Sequence, residues 1–190
     1  QRALLGVGRT FQAIQLFGQL TVFENLLVAT HQHNTTGLLA HMSVTPGALH
    51  AEAESRHQVE RVISMLDLDD VADRVARDLP FGVLRMVEVA RALVTGSRLI
   101  MLDEPASGLD DTETERFAGI VRSMRDELGI SVLLIEHDVH LVMSLCDYVY
   151  VLDRGSPIAE GTPSRVQSNP AVIAAYLGGD MPVAEDQRAP

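Results

Sequence analysis

The stretch Arg-Leu-Ile-Met-Leu-Asp-Glu-Pro-Ala-Ser-Gly-Leu-Asp, residues 98–110, is the most informative part of the chain. Its apolar run, Leu99–Leu102, is typical of a strand buried on both faces of a parallel sheet. Two carboxylates, Asp103 and Glu104, follow at the strand end, where open α/β sheets bind their ligands. Adjacent strand residues point to opposite sides, so one carboxylate could hold a metal while the other acts on water. An ordinary polar turn after a strand explains the same pattern.

The composition narrows the class of protein. The formal net charge of −11 argues against a surface for nucleic acid, which needs clustered cations. Lysine is absent, so all 15 basic residues are arginine. The single cysteine, Cys146, cannot form an internal disulfide and favours a reducing compartment. No apolar run approaches the roughly 20 residues that span a bilayer.

Strands and helices alternate in the second half of the chain, which predicts an α/β fold with right-handed crossovers. An α-rich lobe is expected before it, from Thr21 to about Asp78, opened by a Thr21–Glu24 capping box. The predicted helices are 48–68, 69–76, 84–94, 111–128, 139–145, 163–167 and 170–177. The predicted strands are 99–102, 130–135 and 148–152, the last turning into a hairpin with 157–160, and 31–47 is predicted to be a loop.

Two further segments carry candidate chemistry. Glu136-His137-Asp138 follows the predicted strand 130–135, so an imidazole would meet the carboxylates of Asp103 and Glu104 if the two strands are neighbours. A histidine in that position can also be purely structural. Residues 79–83 open a helix, with Pro80 sterically suited to a helix start. They form either a simple turn or an anion site, because helix N-termini favour phosphate.

Taken in order, these motifs resemble the ATP-binding subunits of ABC transporters. Leu99–Pro105 is similar to the Walker B strand and Ser107–Asp110 to the D-loop. His137 stands at the switch histidine, Gln12 at the Q-loop, and residues 79–83 at the signature motif. Arg9–Gln12, Ile135–Asp138 and the C-terminal segment 161–178 resemble the branched-chain amino acid importer subclass.

The resemblance implies a role for each site residue. Asp103 would hold Mg²⁺, mostly through water, and Glu104 would orient or deprotonate the attacking water. His137 would contact the γ-phosphate, and Gln12 would reach the metal or the water. ATP would also contact the signature residues and Asp110, which works across a dimer interface; the signature residues are Leu79, Pro80, Phe81, Gly82 and Val83.

The resemblance also implies an architecture and partners. The expected fold is a partial P-loop NTPase core of the α/β class with a mainly parallel sheet, plus an α-helical subdomain. Its expected parts are a Q-loop region (1–20), the helical subdomain (21–95), the C-terminal part of the ATPase core (96–160) and a C-terminal extension (161–190). The expected partners are a second ABC ATPase subunit, as a homo- or heterodimer, and multi-pass permease subunits that bind the helical subdomain. No nucleic acid partner is expected, and the location is cytoplasmic, at the inner face of the plasma membrane.

Two features depart from the family pattern. The P-loop Gly-x-x-x-x-Gly-Lys-Ser/Thr is absent, which predicts an N-terminally truncated chain that alone binds ATP poorly and does not hydrolyse it. It also predicts that the Walker B strand lies at an open sheet position. In the signature, Pro80, Phe81 and Val83 stand where the family has Ser, Gly and Gln. The resembled subclass tolerates the first two changes, but Pro80 has no N–H and Val83 offers no side-chain hydrogen bond, which predicts a weak clamp on the partner's ATP. A heterodimer with one degenerate site and a decayed gene both fit this pattern. A catalytically inactive relic or regulatory module, and a soluble non-transport ABC ATPase, are the alternative readings.

Overall fold

The computed structural model describes residues 6–10, 14–30 and 46–177 of the chain. The chain divides into two compact units, Gln1–Glu136 and His137–Pro190. Gln12, most of the loop predicted at 31–47 and the tail from Gly179 lie outside the described residues. Within the described residues, no helix is long and apolar enough to cross a membrane.

The first unit contains a three-stranded sheet of β1 (Val7–Arg9), β2 (Leu99–Asp103) and β3 (Ser131–Ile135). The order is β1-β2-β3 and both pairings are parallel, which confirms the predicted parallel sheet. The prediction that the Walker B strand is open was wrong, since β2 is paired on both sides. Asp103 pairs with Ile135, so β2 and β3 end at the same edge.

Burial of the strands differs from the prediction. On β2, Ile100 and Leu102 are buried while the alternate residues are half-buried. On β3, Leu133 is 46% and Ile135 52% exposed. Burial on both faces was therefore the wrong interpretation of these apolar runs. An apolar run specifies which residues can be buried, but packing by other elements decides whether each face is covered.

In the described part of the first unit, four α-helices accompany this sheet: α1 (Val22–Thr30), α2 (Pro46–Met65), α3 (Phe81–Val94) and α4 (Asp111–Asp126). The predicted capping box of α1 is confirmed, because Thr21 Oγ1 accepts the Glu24 N–H at 3.1 Å and Glu24 Oε2 accepts the Thr21 N–H at 2.8 Å. Apolar faces of these helices form much of the core, including Val22, Leu26, Val59, Ile63, Val87, Phe117 and Met124.

The helix predicted over 69–76 is wrong. Residues 69–78 contain two single 3₁₀ turns, Asp69–Val71 and Ala76–Asp78, with an irregular stretch between them. Its backbone bonds to the start of α1 instead: the carbonyl of Arg74 accepts the Val22 N–H at 3.0 Å, and Ala76 donates to the Leu20 carbonyl at 2.9 Å. These distant backbone partners outcompete the weak local helix signal.

The second unit contains a helix, a hairpin and short C-terminal helical pieces. Its elements are α5 (Val139–Leu145), β4 (Val149–Asp153), β5 (Ser156–Gly161), α6 (Pro163–Gln167), α7 (Pro170–Val172) and a π-helical turn (Ile173–Leu177). The predicted hairpin is confirmed, and its turn residues Arg154 and Gly155 both have positive φ, 47° and 81°. A small core of Val149, Val166 and Val172 holds this unit together.

Candidate functional site

Asp103 closes β2 at the carboxyl edge of the sheet, where sequence reasoning expected it. Arg9, at the end of the neighbouring strand β1, donates from Nη2 to Asp103 Oδ2 at 3.3 Å. Sequence reasoning missed this ion pair, because the two residues are 94 positions apart and meet only through the parallel pairing of β1 with β2. The Arg9 guanidinium therefore binds one carboxylate oxygen of Asp103, the predicted metal ligand.

Glu104 is the first residue of the turn after β2. Its φ of 46° is left-handed, a conformation that costs a non-glycine residue about 1–2 kcal/mol. The strand alternation invoked for Asp103 and Glu104 therefore does not apply, since β2 ends one residue earlier. The Glu104 N–H donates to the carbonyl of Ile135 at 2.8 Å, so the end of β3 fixes this backbone conformation.

The turn that carries Glu104 is held from both sides. Within it, Ser107 donates to the Glu104 carbonyl at 3.2 Å and Leu109 donates to the Ala106 carbonyl at 3.1 Å. From the end of β3, Glu136 Oε1 accepts the Ala106 N–H at 2.8 Å. Sequence reasoning gave Glu136 no role, although it lies directly before His137. This carboxylate anchors the turn to the neighbouring strand.

Asp110 ends the turn as the N-cap of α4. Its Oδ1 accepts the Glu113 N–H at 2.8 Å, and Glu113 Oε2 accepts the Asp110 N–H at 3.1 Å, which makes a capping box. This reciprocal pair fixes where the D-loop becomes helix. The role of Asp110 across a dimer interface stays a prediction.

The signature residues lie at the start of α3. The helix begins at Phe81, three residues before the predicted start at Leu84, with Pro80 in the N-cap position and no side-chain cap. Proline fits there because its fixed φ, here −57°, suits a helix entry. Gly82 is buried, whereas Phe81 is 46% exposed.

The D-loop and the first turn of α4 each contact the start of α3, which the sequence did not predict. A Cβ on Gly108 would lie 3.1 Å from Phe81 Cε1, so the glycine packs on the ring edge. A Cβ on Gly82 would overlap Glu113 Oε1. The structure thus brings the predicted signature residues and the predicted D-loop together within the first unit.

The start of α3 is further supported by a buried ion pair. Arg85 Nη1 and Glu88 Oε2 are 3.1 Å apart, and their side chains are 5% and 7% exposed. The Arg85 guanidinium carbon lies 5.3 Å from the centroid of the Phe81 ring, within cation–π range. The orientation of Phe81 is therefore tied to a charged pair inside the lobe.

The segment that follows the Q-loop is anchored by Asn25, a buried residue of α1 that sequence reasoning passed over. Asn25 Oδ1 accepts the Phe17 N–H at 2.9 Å, and its amide nitrogen donates to the carbonyls of Phe17, Leu20 and Thr21. A second anchor comes from α3: Arg91 donates to the Gln15 carbonyl, and its guanidinium carbon lies 5.5 Å from the centroid of the Phe17 ring. Burial lowers the pKa of Arg91, and Glu88 opposes that shift.

Two predicted site residues lie outside the described part of the first unit. Gln12 lies outside the described residues, although Thr10, two positions earlier, donates its N–H to the Met101 carbonyl at 3.0 Å. His137 is the first residue of the second unit. Their convergence with Glu104 stays a prediction.

The donor chemistry at Asp103 fits Mg²⁺. This cation takes one or two carboxylate ligands and keeps several waters. Asp103 supplies one carboxylate, 25% exposed and therefore accessible to solvent. Among the described residues, no cluster of three or more His, Cys, Asp or Glu side chains could hold a metal ion.

Comparison with known proteins gives two matching family models. The model described as ABC transporter matches residues 2–107, and the model described as branched-chain amino acid ATP-binding cassette transporter matches residues 156–181.

Similar proteins include the high-affinity branched-chain amino acid transport ATP-binding proteins BraF of Pseudomonas aeruginosa and LivG of Escherichia coli. Each is 43% identical, over 91% and 94% of this chain and 68% and 70% of the relative. A solved structure, the ADP conformation of MJ1267, an ATP-binding cassette of an ABC transporter, matches with a TM-score of 0.75 and 30% identity. That match covers 93% of this chain and 70% of the solved one. The chain belongs to the family of ATP-binding subunits of ABC transporters, which are ATPases.

Proposed function

We propose that this chain powers an importer of branched-chain amino acids, coupling ATP hydrolysis to solute movement through multi-pass permease subunits. It would lie at the cytoplasmic face of the membrane, with the helical lobe against the permease. The match of residues 156–181 and the names of BraF and LivG support this solute class. The observation that carries the ATPase role is the Asp103–Glu104 pair at the end of the central parallel strand.

The proposed division of labour follows the geometry of that edge. When bound, Mg²⁺ would supply charge neutralisation at the phosphates, and Asp103 would hold it through one carboxylate and water. Glu104, held in its turn by the end of β3, would orient or deprotonate the attacking water. Gln12 and His137 would complete the contacts to metal, water and γ-phosphate.

A complete ATP site is proposed to form with a second ABC ATPase subunit. Residues 79–83 and Asp110 of this chain would contact the nucleotide that the second subunit holds in its own P-loop. Pro80 and Val83 offer fewer hydrogen bonds than the usual signature, which predicts a weaker hold on phosphate.

The test is reconstitution of this chain in lipid vesicles with a P-loop-bearing ABC subunit and permease subunits. We expect phosphate release that rises with external leucine and its binding protein, and leucine uptake that depends on ATP. Glu104→Gln should reduce both rates by about 10²–10⁴-fold. Glu115→Gln, an exposed substitution on α4, is the matched control and should change neither rate.

Three results would count against the proposal. Unchanged turnover in Glu104→Gln would remove the proposed base. ATP hydrolysis without permease binding would favour a soluble non-transport ATPase. Permease binding without any dependence of hydrolysis on this chain would favour a regulatory module or a relic.

A further inference from the structure

We propose that Glu113 is a positioning residue that joins the signature turn, residues 79–83, to the D-loop, residues 107–110. In this arrangement the two nucleotide-contacting segments of one subunit move together. The inference rests on the proposed function, because that function gives both segments a common nucleotide. None of the motifs in the sequence includes Glu113.

The first support is that one carboxylate contacts both segments. Glu113 Oε2 accepts the N–H of Asp110, the last D-loop residue, at 3.1 Å. The same carboxylate lies against the signature turn: a Cβ on Gly82 would overlap Oε1 and would lie 2.5 Å from Cδ and 3.0 Å from Oε2. Glycine at position 82 is thus what allows Glu113 to bond Asp110.

The second support is an independent contact between the same two segments. Gly108 of the D-loop has a φ of 83°, and a Cβ there would lie 3.1 Å from Cε1 of Phe81. Phe81 is held from behind by the Arg85 guanidinium. Two contacts at different positions restrain relative sliding of the segments more than either contact would alone.

The third support is electrostatic. The start of α3 has no side-chain cap, since Pro80 occupies that position. The Glu113 carboxylate lies beside the first turn of α3, where negative charge is favoured by the helix dipole. Glu113 therefore stabilises the starts of two helices, α3 and α4, and a displacement of either start is transmitted to the other.

A double-mutant cycle on the full chain tests the contact. Gly82→Ala should lower the thermal midpoint in the original background, because the new methyl displaces Glu113 from the Asp110 N–H. In the Glu113→Ala background the same change should raise the midpoint, since alanine is the better helix former and the space is free. Gly119→Ala on α4, where no atom lies within 4 Å, should have one effect in both backgrounds. Equal effects of Gly82→Ala in the two backgrounds would overturn the proposal.

Hydrogen exchange by mass spectrometry tests the coupling without reliance on the Gly82 variant. Glu113→Ala should speed exchange about fivefold in both segments 80–84 and 107–111, the size expected for one lost cap. Glu115→Ala, two positions along α4, should speed exchange in neither segment. Faster exchange in 107–111 alone would make Glu113 a local cap and contradict the coupling.

Kinetics of the reconstituted transporter test whether the coupling serves catalysis. Glu113→Ala should lower kcat by about tenfold and leave the KM for ATP within about twofold, because closure around bound nucleotide is impaired rather than its first binding. Glu113→Gln keeps the capping-box acceptor and should restore most of kcat. Unchanged kcat would overturn the proposed positioning role. If the unaltered transporter shows no ATPase activity, the proposed function fails. The double-mutant cycle and the hydrogen-exchange measurement would still show whether Glu113 joins the two segments.

Discussion

Replacing Glu88 by alanine should lower the free energy of unfolding of the first unit by about 3–5 kcal/mol. Glu88 and Arg85 lie one turn apart on α3, with Oε2 and Nη1 separated by 3.1 Å and side chains 7% and 5% exposed. Few water molecules can reach the guanidinium after the carboxylate is removed. The cost therefore comes mainly from a buried charge that has lost this ion pair.

The magnitude can be set against a second pair in the same unit. Two unit charges 3.1 Å apart attract by about 5 kcal/mol at an effective dielectric constant of 20, which agrees with the range above. Arg122 and Glu115 have the same separation, 3.1 Å, but side chains 37% and 75% exposed. Solvent screens that pair, so Glu115→Ala should cost only about 0–1 kcal/mol.

Thermal unfolding followed by far-ultraviolet circular dichroism measures both variants. For a chain of this size each kcal/mol shifts the midpoint by about 2–4 °C, so Glu88→Ala should unfold roughly 6–20 °C lower. Glu115→Ala should shift the midpoint by less than about 4 °C. The apolar double variant Arg85→Met/Glu88→Leu should recover most of the loss. Similar shifts for Glu88→Ala and Glu115→Ala would refute the argument from burial.

Three further outcomes follow from single residues. Asn25→Ala should lower the free energy of unfolding, measured by urea titration, by about 2–4 kcal/mol. The reason is that the fully buried amide of Asn25 makes four hydrogen bonds to residues 17–21, and alanine makes none of them. A loss below about 1 kcal/mol would contradict this. Glu104→Gly should abolish phosphate release in the reconstituted transporter. The free energy of unfolding should stay level or rise by about 1 kcal/mol, because glycine adopts the left-handed φ of position 104 without strain. A clear loss of stability would contradict the argument that this position is strained. Arg9→Gln should reduce the Mg²⁺ concentration needed for half-maximal ATPase activity by up to about fivefold. The Arg9–Asp103 ion pair is partly exposed, so it contributes about 0–1 kcal/mol that Mg²⁺ must overcome to bind Asp103. An increased Mg²⁺ requirement would show instead that Arg9 supports the site.

Local patterns were predictable from the sequence wherever the interacting groups are close along the chain. The Thr21–Glu24 capping box joins residues three positions apart and is found as predicted. The apolar run before Asp103 forms a strand of the parallel sheet, and the hairpin after Asp147 forms as expected. Such features depend on hydrogen bonds and side-chain alternation that the neighbouring residues themselves supply.

The site was only partly predictable. The sequence placed Asp103 and Glu104 at the end of a parallel strand, and the pairing of β2 with β3 confirms that position. The sequence did not predict the Arg9–Asp103 ion pair or the hydrogen bond from the Ala106 N–H to Glu136, because Arg9 and Glu136 reach the site from other strands. The meeting of Gln12 and His137 with that edge stays a prediction.

The sequence alone determined the family to which the chain belongs, through the order of its motifs and the two carboxylates that follow an apolar run. Tertiary structure decided how those groups are held. It placed β2 at the centre of the sheet, left one face of β3 exposed, and bound the 69–78 segment to the start of α1. It also set the Glu113 carboxylate against Gly82. Pairings of this kind depend on contacts between residues far apart in the chain, which no local pattern of residues encodes.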